Sequence, residues 1–154
     1  MHLNVIFGVT GTLLMLFSLT LLMPILVAVV YAENTLNTFT IAFAITLGIG
    51  FVLWRLKRDG VELRSREGFL VTVLFYLGLG LFGALPLSPL LGSGITENFT
   101  DAAFESFSGI TTTGATVLTG LDMLPRSILF YRAQLQWLGG MGIIVLAVSL
   151  PPML

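Results

Sequence analysis

The sequence has few charged residues: they make up 10% of its 154 residues, against roughly 25% in soluble domains. Hydrophobic residues make up 56%, and the mean hydropathy is +1.00. The net charge is -1, so nothing in the charge balance indicates a nucleic-acid partner. The charge deficit and several long charge-free runs predict an integral membrane protein.

Cysteine is absent, which excludes disulfides and cysteine-based metal sites and leaves the redox compartment undetermined. The single histidine, His2, stands at the N-terminus and cannot by itself build a catalytic or metal site. The sequence contains no nucleophile–base pair, phosphate-binding loop or metal-ligand cluster. We therefore expect no enzymatic activity and no organic cofactor.

Four apolar runs are long enough to cross a membrane as helices: residues 3–31, 38–54, 69–87 and 126–150. The first run contains no charge, and Pro24 is expected to kink it. A cleaved signal peptide is the alternative interpretation of this run. Its length, the absence of a basic n-region and the poor cleavage site Val30-Tyr31-Ala32 weigh against that alternative. A short turn then makes the first two runs an antiparallel hairpin.

Five of the seven basic residues lie in the short loop 55–67. Short basic loops stay in the cytoplasm, so this loop and the N-terminus are both predicted to be cytoplasmic. The loop divides the chain into two units. Residues 1–66 form an accessory transmembrane hairpin with its basic loop, and residues 67–154 form the second unit.

The segment between the third and fourth runs is too polar for a span and too apolar for an ordinary loop. Residues 98–108 predict a helix that Asn98 caps, with Asp101 in its first turn. Such a helix is about 16 Å long, half a bilayer, so it would enter the membrane and turn back. Gly109 is expected to end it. Residues 111–116, Thr-Thr-Thr-Gly-Ala-Thr, would return as an extended strand.

A Thr/Gly strand at membrane depth can line an ion path. Backbone carbonyls replace the water shell of an alkali cation, and threonine hydroxyls can add oxygen ligands. Gly114 would permit a backbone conformation that strains any residue with a Cβ atom. The segment therefore predicts a selectivity filter. The alternative is a polar loop between two ordinary spans, with residues 98–108 forming an external amphipathic helix.

Two charges are predicted at equal depth beside this segment. Glu105 lies about 10 Å along its helix from Asn98, and Arg132 lies about 10 Å along the last span from Pro125. Intramembrane charges usually pair or line a cavity, so one interpretation pairs Glu105 with Arg132 behind the filter. In the other, Arg132 extends toward the membrane surface and Glu105 accepts backbone amides near the filter.

The last apolar run carries polar residues and glycines. Gln134 and Gln136 are predicted to form hydrogen bonds between helices. Gly139, Gly140 and Gly142 remove side chains at spacings that permit close helix contact, so they are predicted to be packing residues.

The segment Phe104-Glu-Ser-Phe-Ser-Gly-Ile-Thr-Thr-Thr-Gly-Ala-Thr116 resembles the first pore loop of the Trk-type potassium uptake proteins, in particular the TrkH-like membrane subunits. The similarity extends to Ser65-Arg-Glu-Gly-Phe-Leu70 and to Ile128-Leu-Phe-Tyr-Arg132. It also includes Gln134-Leu-Gln-Trp-Leu-Gly-Gly-Met-Gly-Ile-Ile-Val-Leu-Ala147. It covers essentially the whole chain.

The resemblance implies an all-α integral membrane fold. Members of this family have four membrane helix–pore loop–membrane helix repeats around one pore, and bacterial members carry an extra helix pair before the first repeat. The chain would contain that pair and the first repeat, giving four spans and one re-entrant pore helix. Repeats two to four are missing, so the chain is expected to be a fragment or truncation that supplies a quarter of a filter.

The resemblance also implies the ion-binding residues, which would be Thr111, Thr112, Thr113, Gly114 and Ala115. Thr112 and Thr113 would contact the transported K⁺. Glycine at position 114 is the potassium-type residue, whereas relatives with serine there look sodium-permissive. The family works in the bacterial inner membrane as a homodimer on a cytosolic, nucleotide-binding TrkA ring.

Two other functions fit the same residues. In the first, the chain is a small subunit that assembles as a homotetramer and forms its own cation pore. Alternatively, a truncated chain would be a non-conducting structural or regulatory membrane protein that associates with intact TrkH-like partners.

Overall fold

The computed structural model describes residues 3–56, 65–92 and 94–149. This part of the chain contains no β-strand, in agreement with the predicted all-helical fold. Its α-helices are α1 (Leu3–Thr20), α2 (Leu22–Val30), α3 (Leu36–Arg55), α4 (Ser65–Gly83), α5 (Phe99–Ile110) and α6 (Arg126–Ser149). Short 3-10 turns occupy Leu85–Leu87, Pro89–Leu91 and Leu121–Met123.

The first apolar run forms two helices because of Pro24. Proline has no amide hydrogen, and its ring crowds the carbonyl group four residues earlier, which is that of Thr20. The helix breaks at Leu21, so the predicted kink occurs ahead of the proline itself. The Thr20 carbonyl accepts a hydrogen bond from Gln134 Nε2 on α6 at 2.7 Å instead. The break thus provides a polar contact between the first span and α6.

The α1–α3 hairpin is held at close range by glycine. A Cβ atom built on Gly11 would lie 2.6 Å from the carbonyl oxygen of Gly50 and 2.6 Å from the amide nitrogen of Trp54. Both neighbours are backbone atoms, so the two helices can reach this distance only where the side chain is a hydrogen atom. This contact joins the two runs that the sequence predicted as a hairpin.

The third apolar run leaves the α-helical conformation earlier than predicted. α4 ends at Gly83, and the chain continues through two 3-10 turns that contain Pro86 and Pro89. Each proline lacks the amide hydrogen that an α-helix needs, so the helix cannot continue through them undisturbed.

Three segments of the described residues are both long and apolar enough to cross a membrane: Asn4–Val30, Leu36–Arg55 and Gly68–Leu87. α6 is not among them, although it is the expected fourth span. α6 is long enough to cross, at about 36 Å. Its first half carries Arg126, Arg132, Gln134 and Gln136, and these polar side chains lower its mean hydropathy.

One hydrophobic core connects the hairpin to the rest of the molecule. Its buried members are Phe17, Leu21, Phe39, Ala42, Leu79, Ala84, Leu87, Ala102, Ile110, Ile128, Tyr131 and Leu135. Tyr131 of α6 is fully buried, and its ring packs edge-on against Phe39 with the centroids 5.3 Å apart. Its hydroxyl donates to the carbonyl of Gly83 at 2.7 Å. A single α6 side chain therefore contacts both α3 and α4.

Most of the basic loop predicted to be cytoplasmic lies outside the described residues, since positions 57–64 fall there. The same holds for residues 1–2 and 150–154.

We expect Gly11→Ala to destabilise the hairpin, because the added methyl group meets two backbone atoms that cannot move independently of their helix. Overpacking of this kind costs about 1–3 kcal/mol, which should lower the melting temperature of the purified protein in detergent. Gly48→Ala on α3 is the matched control, because a Cβ atom there meets nothing within 4 Å. Equal melting temperatures for the two variants would contradict the close-contact role of Gly11.

Candidate functional site

α5 is fixed at its start as predicted, but it ends later than predicted. Asn98 caps the helix, and its Oδ1 accepts the amide hydrogen of Asp101 at 2.9 Å. Gly109 was expected to end the helix, but the helix continues to Ile110. Gly109 instead allows close packing, because a Cβ atom there would lie 3.0 Å from Cβ of Leu135 on α6.

α5 ends at Ile110, and the chain turns away from the helix axis at Thr112, which has a left-handed conformation with φ 57°. Its amide donates to the Gly109 carbonyl at 2.9 Å, and the Thr113 amide donates to the Ser108 carbonyl at 3.0 Å. These are the two hydrogen bonds of a Schellman motif, in which glycine is the usual left-handed residue. A β-branched residue is strained there, and such strain is concentrated at functional sites.

The chain beyond this motif is irregular. The described residues 113–120 have no regular secondary structure, and residues 111–112 lie in the turn that ends α5. The extended path predicted for residues 111–116 therefore stays a prediction. Gly114 has φ 74°, the conformation predicted to require glycine. A Cβ atom built on Gly114 meets nothing within 4 Å, so the backbone angle and not a lack of space demands glycine.

The structure brings the five predicted ion-binding residues together on one exposed edge, residues 111–115. Their hydroxyl groups already have partners. Thr111 Oγ1 donates to the Phe107 carbonyl at 2.8 Å and lies 2.8 Å from Thr113 Oγ1. Thr112 Oγ1 donates to the Thr111 carbonyl at 2.7 Å. The threonine hydroxyls thus stabilise the backbone of this segment.

The carbonyl groups of the same segment divide into two sets. The Ala115 carbonyl accepts the Ser108 hydroxyl at 2.6 Å and so is bonded back to α5. Within the described residues, the carbonyls of Thr112, Thr113 and Gly114 accept no hydrogen bond. Backbone carbonyls need a partner, so three successive oxygens are available to water or to a cation.

Glu105 is buried, with 4% of its surface exposed, and its two carboxylate oxygens have different partners. Oε1 accepts the Thr116 hydroxyl at 2.5 Å, the Val117 amide at 2.7 Å and the Leu118 amide at 3.3 Å. Oε2 lies 3.1 Å from Nε and 3.0 Å from Nη2 of Arg132. One carboxylate therefore joins α5, α6 and the irregular segment.

The sequence analysis offered two alternative contacts for Glu105, an ion pair with Arg132 and hydrogen bonds from backbone amides. Both occur together, because each involves a different carboxylate oxygen. Arg132 does not extend to the surface: its side chain is 17% exposed and is paired with Glu105. Removing a carboxylate from water costs several kcal/mol unless its oxygens find partners. The partners observed here meet that requirement with charge-assisted hydrogen bonds.

The glycines of α6 differ in their surroundings. A Cβ atom on Gly139 would lie 1.9 Å from the Ile110 carbonyl oxygen, at the end of α5. A Cβ atom on Gly142 would lie 2.5 Å from the Tyr76 hydroxyl oxygen. The packing role is thus confirmed for these two. A Cβ atom on Gly140 has no neighbour closer than 3.9 Å, so close packing does not require glycine there.

Two polar residues depart from the sequence analysis. Gln134 forms the predicted interhelix hydrogen bond, whereas Gln136 is exposed and forms none with the described residues. The bond from Ser108 to Ala115 was not predicted. Its sequence signal is the spacing of Ser108 three residues after Glu105, which places both side chains on one face of α5.

The chain is similar in sequence and in structure to known cation transport proteins. The profile of the TrkH family, described as cation transport protein, matches residues 35–154. The Trk system potassium uptake protein TrkH of Halomonas elongata is 52% identical over 155 residues, covering 100% of this chain and 32% of that protein. TrkH of Escherichia coli K12 gives the same values. The crystal structure of the potassium transporter TrkH from Vibrio parahaemolyticus matches with a TM-score of 0.90 and 50% identity, covering 99% of this chain and 32% of that chain.

The apolar helices and the family match together define a membrane protein of the cation-transport class. The chain belongs to the TrkH family of cation transport proteins. It spans about a third of the length of these relatives, 32% in each case.

We expect Glu105→Gln to destabilise the protein by up to about 3 kcal/mol, because it leaves the partly buried Arg132 without a counter-charge. Thermal unfolding in detergent measures the effect. Asp101→Asn, one turn earlier on α5, is the control, since Asp101 forms no ion pair among the described residues. If both variants melt at the same temperature, the contacts of Glu105 do not contribute to stability.

Gly139→Ala should displace the end of α5, because a methyl group cannot occupy the position 1.9 Å from the Ile110 carbonyl oxygen. Gly140→Ala changes the neighbouring residue of α6 without this collision. Their melting temperatures in detergent should differ, with Gly139→Ala lower by the equivalent of about 1–3 kcal/mol. A Gly139→Ala protein as stable as Gly140→Ala would contradict the backbone contact.

Proposed function

We propose that the chain forms the accessory hairpin and the first pore repeat of a potassium uptake transporter, with residues 111–115 lining the ion path. The observation that carries this proposal is the set of three consecutive carbonyls, at Thr112, Thr113 and Gly114, without partners in the described residues. Irregular backbone at membrane depth is tolerated only when it is buried in protein or lines a water-filled path. Family membership supports potassium as the ion.

The proposed topology has four spans: α1 with α2, then α3, α4 and α6. The N-terminus and the basic loop 55–67 face the cytoplasm of the bacterial inner membrane. α5 is about 18 Å long, so it enters the membrane from outside and returns through residues 111–119. The contact between the α2–α3 turn and the start of α6 supports this arrangement, because the topology puts both on the outer side.

The cation would be held by oxygen atoms at the C-terminal end of α5. Potassium is a hard cation, and successive carbonyls can replace its hydration shell. The left-handed conformations of Thr112 and Gly114 set the directions of the neighbouring carbonyls. The negative end of the α5 dipole adds favourable electrostatic interaction. The hydroxyl oxygens of Thr112 and Thr113 keep lone pairs that can serve as further ligands.

A single repeat surrounds only one side of such a path. Residues 111–117 are exposed, as is Trp137 on α6, with 63% of its surface accessible. In the proposed assembly, three further repeats of a longer chain cover this edge. The resemblance to the Trk family extends the proposal to a homodimer bound to a cytosolic, nucleotide-binding TrkA-like ring.

The exposed edge also fits a second function, in which four copies of this chain form the pore. The two functions differ in what the 154-residue chain does alone in liposomes. Under the first, it carries no K⁺, and flux requires the three additional repeats. A stable tetramer in detergent that conducts K⁺ would favour the second. A chain that is non-conducting in both contexts would indicate a structural or regulatory role.

We expect Gly114→Ser to reduce the preference for K⁺ over Na⁺ when introduced into the transporter that contains all four repeats. Serine at φ 74° strains the backbone and so redirects the adjacent carbonyls. The measurement is the ratio of K⁺ to Na⁺ uptake in proteoliposomes.

Gly120→Ser is the matched control, because Gly120 also has a positive φ, 65°, and open space around its Cβ position, but lies outside the filter segment. This variant suffers comparable strain without altering the ion ligands. An unchanged ratio in Gly114→Ser, or an equal loss in Gly120→Ser, would count against the filter assignment.

A further inference from the structure

Glu33, in the turn between α2 and α3, reaches the start of α6, more than ninety residues away in sequence. Its Oε1 accepts the Arg126 amide at 2.6 Å. Its Oε2 accepts the Ser127 amide at 3.0 Å and the Ser127 hydroxyl at 2.5 Å. The first amides of a helix have no partner within the helix. The residue before α6 is Pro125, whose side chain cannot cap, so Glu33 supplies the cap from the hairpin.

Further contacts strengthen this junction. Ser127 uses its hydroxyl hydrogen on Glu33, so in the 2.7 Å contact between Thr35 Oγ1 and Ser127 Oγ the threonine is the donor. The Arg126 guanidinium lies 4.4 Å from the centre of the Tyr31 ring. Partial burial raises the pKa of Glu33, but hydrogen bonds from Ser127 and Arg126 outweigh it and lower the pKa below its usual value. The carboxylate therefore stays charged.

α6 extends from this junction to the filter segment along one buried face. Four residues spaced four apart form this face: Ser127, Tyr131, Leu135 and Gly139. Ser127 contacts Glu33 in the turn between α2 and α3, and Tyr131 contacts α3 and α4. Leu135 and Gly139 both contact α5. Arg132 lies beside this stripe, about 9 Å along the axis from Arg126. Since a helix is stiff over this length, the position of its first turn determines the position of Arg132.

We propose that Glu33 is a positioning residue for the ion path. By holding the first turn of α6, Glu33 sets the position of Arg132. Arg132 in turn pairs with one carboxylate oxygen of Glu105. The other oxygen of Glu105 accepts hydrogen bonds from Thr116 and Val117 and so fixes the backbone there. The accessory hairpin would then determine filter geometry as well as membrane insertion. This inference rests on the proposed function, in which residues 111–115 line a path for K⁺.

The test is Glu33→Gln in the transporter with all four repeats, reconstituted in liposomes. Glutamine keeps the size and one acceptor oxygen, but it places an amide donor against the backbone N–H of either Arg126 or Ser127. We expect the K⁺ to Na⁺ uptake ratio to fall by about threefold or more, a typical range for coupling at a distance. Glu97→Gln, an exposed carboxylate before α5, should leave the ratio unchanged. Glu33→Asp, which keeps the charge, should restore part of the ratio.

A double variant tests the route through α6. If Glu33 acts through Arg132, then Glu33→Gln should lower the ratio no further in an Arg132→Gln background. Additive losses would overturn the proposed route. A lower melting temperature for Glu33→Gln with an unchanged ratio would overturn the positioning role and leave only a structural one.

The two proposals fail in different ways. If the unaltered transporter shows no preference for K⁺, the proposed function is wrong. If it prefers K⁺ and Glu33→Gln behaves like Glu97→Gln, only the positioning role is wrong. Should Glu33→Gln fail to reach the membrane, Ser127→Ala is measured on the same scale, because it removes one bond of the cap and leaves the carboxylate in place. An unchanged ratio in that variant also counts against the proposal.

Discussion

The buried carboxylate of Glu105 is the constraint on which the arrangement of residues 111–118 relative to α5 and α6 depends. A charge removed from water must have its oxygens paired, and here the partners of this α5 side chain come from two other parts of the chain, residues 116–118 and Arg132 of α6. Satisfying the carboxylate therefore fixes α5, α6 and the segment after Thr116 relative to one another. The carbonyls of Thr112, Thr113 and Gly114, which have no partner among the described residues, are held on either side by the bonds that end α5 and by the bond from Ser108 to Ala115.

Glycine residues allow the helices around α5 to pack at short distances. α5 lies between α4 and α6, and a Cβ atom on Gly80 of α4 would lie 2.2 Å from the Phe107 ring. The collision at Gly139 with the Ile110 carbonyl is equally severe. In lipid, apolar side chains gain little by associating with one another, so close backbone packing and polar contacts stabilise the helix assembly. Glycines bring the helices together, and the buried ion pair determines how they align.

Much of the fold could be predicted because the relevant signals are local. The second apolar run, predicted as 38–54, corresponds to α3 at Leu36–Arg55, since hydropathy and helix length are read directly from consecutive residues. The cap at Asn98 and the positive φ of Gly114 follow from the chemistry of a single residue. Residues 111–115, the segment proposed as the filter, could be singled out for the same reason: hydroxyl residues and a glycine between apolar runs are visible without any knowledge of contacts.

The sequence by itself determined the helical class, the hairpin and the place of the polar Thr/Gly segment between the last two apolar runs. Only the tertiary structure decided that Gly109 packs against α6 and that Glu105 uses both oxygens. It also decided that Glu33 caps a helix more than ninety residues later. The reason is physical: hydropathy, capping and backbone angles depend on near neighbours, whereas the partners of a buried charge depend on which distant helices lie beside it.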